Sequence, residues 1–152
     1  MKQRRDTRVV EVEMFPSTTI TLPARLESLP CGLTLVVQCA MAAGFSSKRV
    51  TEIELAVEEA LANICFYAYP DSSGEVELRC TWDETRHFLI ELIDAGIPFD
   101  VLARPVPDLT MGAAEQPLGG WGIPLIRALM DNVTYYREGA RNILRLTVLL
   151  PQ

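Results

Sequence analysis

"SSKRVTEIELAVEEALANICFYAYP", residues 46–70, carries the best helical pattern in the chain. Ile53, Val57, Ala60, Leu61 and Ile64 recur at intervals of three and four and form one apolar stripe. Ser46 or Ser47 suits the N-cap, Thr51 and Glu54 have the spacing of a capping box, and Pro70 ends the helix. At about 100° per residue, Glu59 and Asn63 lie only roughly 40° apart and off the stripe, with Glu52 about two turns earlier on the same line. A carboxylate and an amide therefore share one exposed helix face.

On the N-terminal side, "RVVEVEMF" (8–15) and "TTITL" (18–22) alternate apolar and polar residues and read as strands at a sheet edge, the second closed by Pro23. Between Ala24 and Ala43, Leu26, Leu29, Leu33, Val36, Val37, Ala40 and Met41 recur at helical spacing, with Gly44 as a stop and Pro30 as a kink or late start. On the C-terminal side, "GEVELRCTW" (74–82) and "HFLIELID" (87–94) alternate around "DETR" as an antiparallel hairpin. Residues 95–118 contain Pro98, Pro105, Pro107 and Pro117 with Gly96 and Gly112 and keep no period, and a loop that long in a compact domain is functional or disordered. "GGWGIPLIRALMDN" (119–132) then turns from glycines into a helix with Pro124 in its first turn. "VTYYRE" (133–138) and "NILRLTVLL" (142–150) make a closing hairpin. The expectation is one α/β domain over 1–152, without repeats.

The bulk composition excludes several classes. With 20 acidic against 14 basic residues and a formal charge of −6, the chain repels a polyphosphate backbone, and no basic run makes a stripe for nucleic acid. The longest apolar run, "LTLVVQCAMAAG" at 33–44, falls well short of the roughly 20 residues that span a bilayer. "MKQRR" at the start lacks the apolar block of a signal peptide, so a cytoplasmic location is expected. Cys31, Cys39, Cys65 and Cys80 have no zinc spacing and are expected to be four buried free thiols. The single histidine, His87, falls in the predicted hairpin turn, which leaves little material for imidazole chemistry.

Three patches remain that could carry chemistry. Gly119, Gly120 and Gly122 enter a helix N-terminus, where unpaired backbone amides and the helix dipole favour an anion such as phosphate. The Asn63 side-chain oxygen suits a hard cation such as magnesium, and Glu59 one turn earlier suits orienting or deprotonating a hydroxyl. In "DAGIPFD" (94–100), Asp94 stands where a strand runs out and can accept a hydrogen bond from an exocyclic amine such as that of adenine, while Gly96 leaves room for the ring. Singly, each has an ordinary explanation: a turn glycine cluster, a solvated helix face, a turn aspartate. The phosphate-loop pattern G-x-x-x-x-G-K-S/T is absent.

Order and spacing together add more. "ELAVEEALANICFYAYP", "IDAGIPFD" and "LGGWGIPLIRALMDNVTYYREGARNILRLTVLL" resemble the N box, G1 box and G2 box of the GHKL (Bergerat-fold) ATP-binding domains, above all those of bacterial anti-sigma factor serine kinases. The resemblance runs from about Ser46 to the C-terminus; the first 45 residues match only in outline. It implies an α+β two-layer sandwich, a mostly antiparallel mixed sheet covered on one face by about three helices, with residues 99–118 as the ATP lid. In E-x-x-x-N, Glu59 is implied as general base and Asn63 as magnesium ligand. In D-x-G-x-P, Asp94 is implied to bind adenine and Gly96 to shape the pocket, and in G-G-x-G, Gly119, Gly120 and Gly122 to form the phosphate loop. Relatives often end the N box with H-A-Y, and here Tyr67 replaces that histidine before Ala68 and Tyr69. The implied reaction transfers the ATP γ-phosphoryl to a serine of a STAS-domain anti-sigma antagonist, with a sigma factor as second partner. Related kinases are often dimers, and the 8–15 strand offers an edge for pairing with a second copy.

Two other readings stay open at this point. One is a non-catalytic switch that binds ATP and a sigma factor or STAS protein without phosphorylating either. The other is a histidine kinase ATPase module, whose phosphoacceptor histidine would have to come from another chain.

Overall fold

The structure, a computed structural model, describes residues 17–103 and 122–152. The 8–15 strand, Gly119, Gly120 and residues 104–118 of the expected lid lie outside them. Among the described residues five strands form one sheet in the order β1-β2-β3-β5-β4: β1 Ser17–Pro23, β2 Glu75–Trp82, β3 His87–Asp94, β4 Asn132–Glu138 and β5 Arg141–Leu149. Every pairing is antiparallel, so the described sheet is not mixed. Three helices, α1 Leu29–Ala42, α2 Ser47–Tyr67 and α3 Gly122–Leu129, make the second layer.

Strand alternation sets which side chains meet the helices. Val76, Leu78 and Cys80 of β2, Phe88, Ile90 and Leu92 of β3, and Leu144, Leu146 and Val148 of β5 belong to the buried core. Against them α2 lays Ile53, Val57, Ala60, Leu61 and Ile64, and α1 adds Val36, Cys39 and Ala40. Phe45, just past α1, packs its ring edge against Phe88 at 5.6 Å between centroids. On the opposite face of the sheet, Glu91 is buried between two arginines, accepting from Arg145 Nη2 at 2.6 Å and from Arg79 Nη1 at 3.4 Å. The hydrogen bond to Glu91 holds the Arg145 guanidinium above its ordinary range.

Pro30 occupies the first turn of α1, where a missing N–H costs nothing, so the helix starts late and is not kinked. Ser46 caps α2, its hydroxyl accepting from the Arg49 amide at 3.2 Å. The expected Thr51–Glu54 capping box does not form, because Thr51 lies inside the helix and its hydroxyl donates to the Ser47 carbonyl at 3.0 Å. Ser46→Ala should therefore lower stability by about 1 kcal/mol, the usual effect of losing a cap. Urea denaturation checks this, and an unchanged midpoint would assign the helix start to tertiary packing alone.

Two further expectations change. Only Cys39 and Cys80 are buried; Cys65 is half-buried and Cys31 exposed, so the four free thiols do not all belong to the core. Burial pushes the Cys80 thiol far above its ordinary range, with neighbouring Cys39 adding to the shift. His87 opens β3, its Nδ1 2.6 Å from the Thr85 hydroxyl, within a turn organised by Asp83. At about 3.3 Å per residue, that places it roughly 23 Å from Asp94 along the strand. Among the described residues no helix is long and apolar enough to cross a membrane.

Candidate active site

Asp94 is the last residue of β3 and continues the inward series Phe88, Ile90, Leu92. It is buried, at 6% exposure, so it is not a solvated turn residue. Directly across in register stands Asn142, the first inward position of β5, 4% exposed. Asn142 Nδ2 donates to Asp94 Oδ1 at 2.9 Å, and the Gly96 amide donates to the same oxygen at 2.9 Å. Asp94 Oδ2 accepts no hydrogen bond among the described residues. Asp94 lines a recess together with Ala60 and Ile64 of α2, Ala68 just past its end, Phe99, and Leu144 of β5. The recess thus offers apolar walls and one carboxylate oxygen, which suits a flat ring bearing an amine.

The turn after Asp94 is tied to the end of α2. The Ile97 amide donates to the Ala68 carbonyl at 2.9 Å, and the Ala95 amide to the Tyr69 hydroxyl at 2.9 Å. That hydroxyl in turn donates to the Glu75 carbonyl at 2.6 Å. Burial raises the Tyr69 phenol above its ordinary range. Gly96 lies against the helix end so closely that a Cβ there would stand 2.2 Å from the Ala68 carbonyl oxygen. A glycine there permits this close backbone approach to the end of α2.

Glu59 and Asn63 precede Ala60 and Ile64, so the acid and amide adjoin the recess on the same two turns of α2. Asn63 is buried, at 8% exposure, which corrects the expectation of an exposed helix face. The reason is α3: a Cβ at Gly122 would stand 2.8 Å from Glu59 Oε2 and 3.5 Å from Asn63 Nδ2. The first residue of α3 thus rests on the acid–amide pair. Gly122 is the described member of the glycine cluster, and its contact with Glu59 is one that the spacing alone did not specify.

Tyr67 stacks on Phe99, with centroids 5.7 Å apart and 29° between planes. The ring that replaces the expected histidine therefore buttresses a residue lining the recess. Sequence reading missed Asn142, although a signal exists. The inward positions of "NILRLTVLL" run Asn142, Leu144, Leu146, Val148, an apolar series ending in a polar residue, as the β3 series ends in Asp94.

Comparison with known proteins gives the class to which this fold belongs. The chain belongs to the histidine kinase-like ATPase domain family, which matches residues 22–148. Among curated relatives it is similar to the serine-protein kinase RsbW of Listeria monocytogenes serovar 1/2a, 31% identical over 132 residues and covering 83% of each chain. It is also similar to the serine-protein kinase RsbW of Bacillus thuringiensis, 27% identical over 137 residues and covering 88% of this chain and 85% of that one. Among solved structures, the RsbU and RsbW domains of a Mycobacterium tuberculosis protein superpose with a TM-score of 0.63 at 18% identity over 89% of this chain. This chain spans 32% of that longer one. A histidine kinase domain from Erythrobacter litoralis superposes with a TM-score of 0.51 at 20% identity, covering 80% of this chain and 61% of that one. The two-layer fold is thus shared across both kinds of kinase.

Proposed function

We propose that this chain is an ATP-dependent serine-protein kinase that phosphorylates a STAS-domain anti-sigma antagonist and binds a sigma factor as its second partner. One observation carries the reading: the recess holding Asp94 and the face holding Glu59 and Asn63 lie on adjoining sides of the same two helical turns. An adenine amine donates to Asp94 Oδ2, and the ring lies between the α2 side chains and Leu144. The phosphates extend toward the α3 N-terminus, where the amides of Gly122 and Ile123 precede Pro124 and have no carbonyl partner within the helix.

Asn63 fits magnesium, because it supplies one neutral oxygen beside the phosphate path and this ion takes few protein ligands when phosphate oxygens complete its shell. When bound, magnesium neutralises charge on the phosphates. The partner's serine hydroxyl attacks the γ-phosphorus, its proton passes to the Glu59 carboxylate, and the bond to the β-phosphate oxygen breaks. Positioning supplies most of the acceleration, since this reaction asks little covalent chemistry of the protein. His87 is occupied in its turn and far along β3, so it is not itself the phosphoacceptor in this reading.

Incubation with MgATP and a purified STAS-domain partner tests the reading. The expected results are a phosphoserine on the partner and a stabilisation of the kinase by about 2.7 kcal/mol when ATP is at a hundred times its dissociation constant. Binding without phosphoserine would leave a nucleotide-dependent switch, and the absence of any thermal shift would remove the nucleotide site itself.

A further inference from the structure

Asn142 uses all four of its amide hydrogen-bonding positions. Its Oδ1 accepts from the Tyr135 hydroxyl at 2.6 Å and from Arg137 Nη1 at 2.9 Å. Its Nδ2 donates to Asp94 Oδ1 at 2.9 Å and to the Ile97 carbonyl at 2.8 Å. Two of these partners can act in only one sense. A guanidinium has no acceptor and a carbonyl no proton, so the amide cannot be turned over without placing two donors and two acceptors face to face. The orientation of Asn142 therefore follows from chemistry.

The consequence falls on Asp94. With Nδ2 of Asn142 and the amide of Gly96 both donating to Oδ1, that oxygen is anchored, and Oδ2 is the oxygen left for the recess. We infer that Asn142 is a positioning residue that locks Asp94 as an acceptor aimed into the recess, and that Asn142, Tyr135 and Arg137 together give the pocket its preference for a 6-amino over a 6-oxo purine. The amine of adenine meets Oδ2 with a proton; the carbonyl of a 6-oxo ring meets it with a lone pair. The same network shapes the mouth of the pocket. Arg137 Nη1 also donates to the Gly96 carbonyl at 3.3 Å, and the Tyr135 hydroxyl accepts from the Phe99 amide at 3.3 Å. β4 is thereby connected to both ends of the segment that follows Asp94.

This inference rests on the nucleotide reading above, and one experiment separates the two. Dissociation constants for ATP and for inosine triphosphate, with magnesium, are measured by calorimetry on the native chain, on Asn142→Leu and on Tyr135→Phe. The native chain should prefer ATP by about tenfold or more, the range for a hydrogen bond to a charged group. Asn142→Leu should weaken ATP by about that factor while hardly moving inosine triphosphate, so the ratio shrinks toward one. Tyr135→Phe, which leaves Arg137 in place, should move the ratio in the same direction by less. Equal weakening of both nucleotides by Asn142→Leu would mean a merely structural role and would overturn the inference. If Asn142→Leu does not fold, an unaltered ratio in Tyr135→Phe overturns it instead. A native chain that binds neither nucleotide fails the nucleotide reading, and a native chain that binds both equally fails only the selectivity.

Discussion

Gly96→Ala should unfold the protein at a temperature lower by roughly 6–12 °C, corresponding to a loss of about 3 kcal/mol for a chain of this size. The added Cβ would stand 2.2 Å from the carbonyl oxygen of Ala68, 2.7 Å from its carbonyl carbon and 2.8 Å from its Cβ. Two of these atoms are backbone at the end of α2, so no side-chain rotation relieves the overlap. The turn cannot simply move off, because the Ile97 amide bonds the Ala68 carbonyl, the Ile97 carbonyl accepts from Asn142, and the Gly96 amide holds Asp94. Relief breaks at least one of these bonds, and each break displaces the wall of the recess. The ATP-induced stabilisation should therefore disappear along with the lost degrees. Scanning calorimetry with and without MgATP measures both, and a variant that melts within about 2 °C of the native chain and still responds to ATP would show that the turn does not hold the pocket.

The same turn shows what a sequence can and cannot convey. Strand periodicity was enough for β2, β3 and β5, because alternation alone decides which residues of "HFLIELID" and "NILRLTVLL" face the helices. It also contained the site: the polar residues Asp94 and Asn142 each end an inward apolar series. Pairing them requires the register between β3 and β5, which no local pattern specifies. The burial of Asn63 was hidden for a similar reason. Its helix face is off the apolar stripe of α2 and becomes interior only because α3 arrives from about sixty residues away with a glycine at the contact. Gly122 was legible as a helix entrance, whereas its contact with Glu59 was not. The capping box failed for want of a local rule: spacing permits Thr51 to cap, yet Ser46 starts the helix one turn earlier. The burial pattern of the cysteines likewise followed from tertiary placement, with Cys31 falling on an outward face of α1.

Glu59→Gln should reduce serine phosphorylation by about 10²–10⁴-fold, the range for removing a general base, while leaving the ATP-induced thermal shift in place. The substitution keeps size and reach while removing the negative charge and the capacity to take a proton. Because Asp94, not Glu59, is the group proposed to meet the adenine, the ATP-induced shift serves as the control for folding. Gly122→Ala gives a graded companion. Alanine favours a helix, and the atom its Cβ would meet at 2.8 Å is the tip of a side chain that can swing aside. The fold should therefore survive while the carboxylate is displaced, and misplacement by about 1 Å costs on the order of a hundredfold in rate. If Glu59→Gln phosphorylated its partner at the native rate, the proton would have to leave by another route, and Glu59 would be a neighbour of the reaction with no share in it.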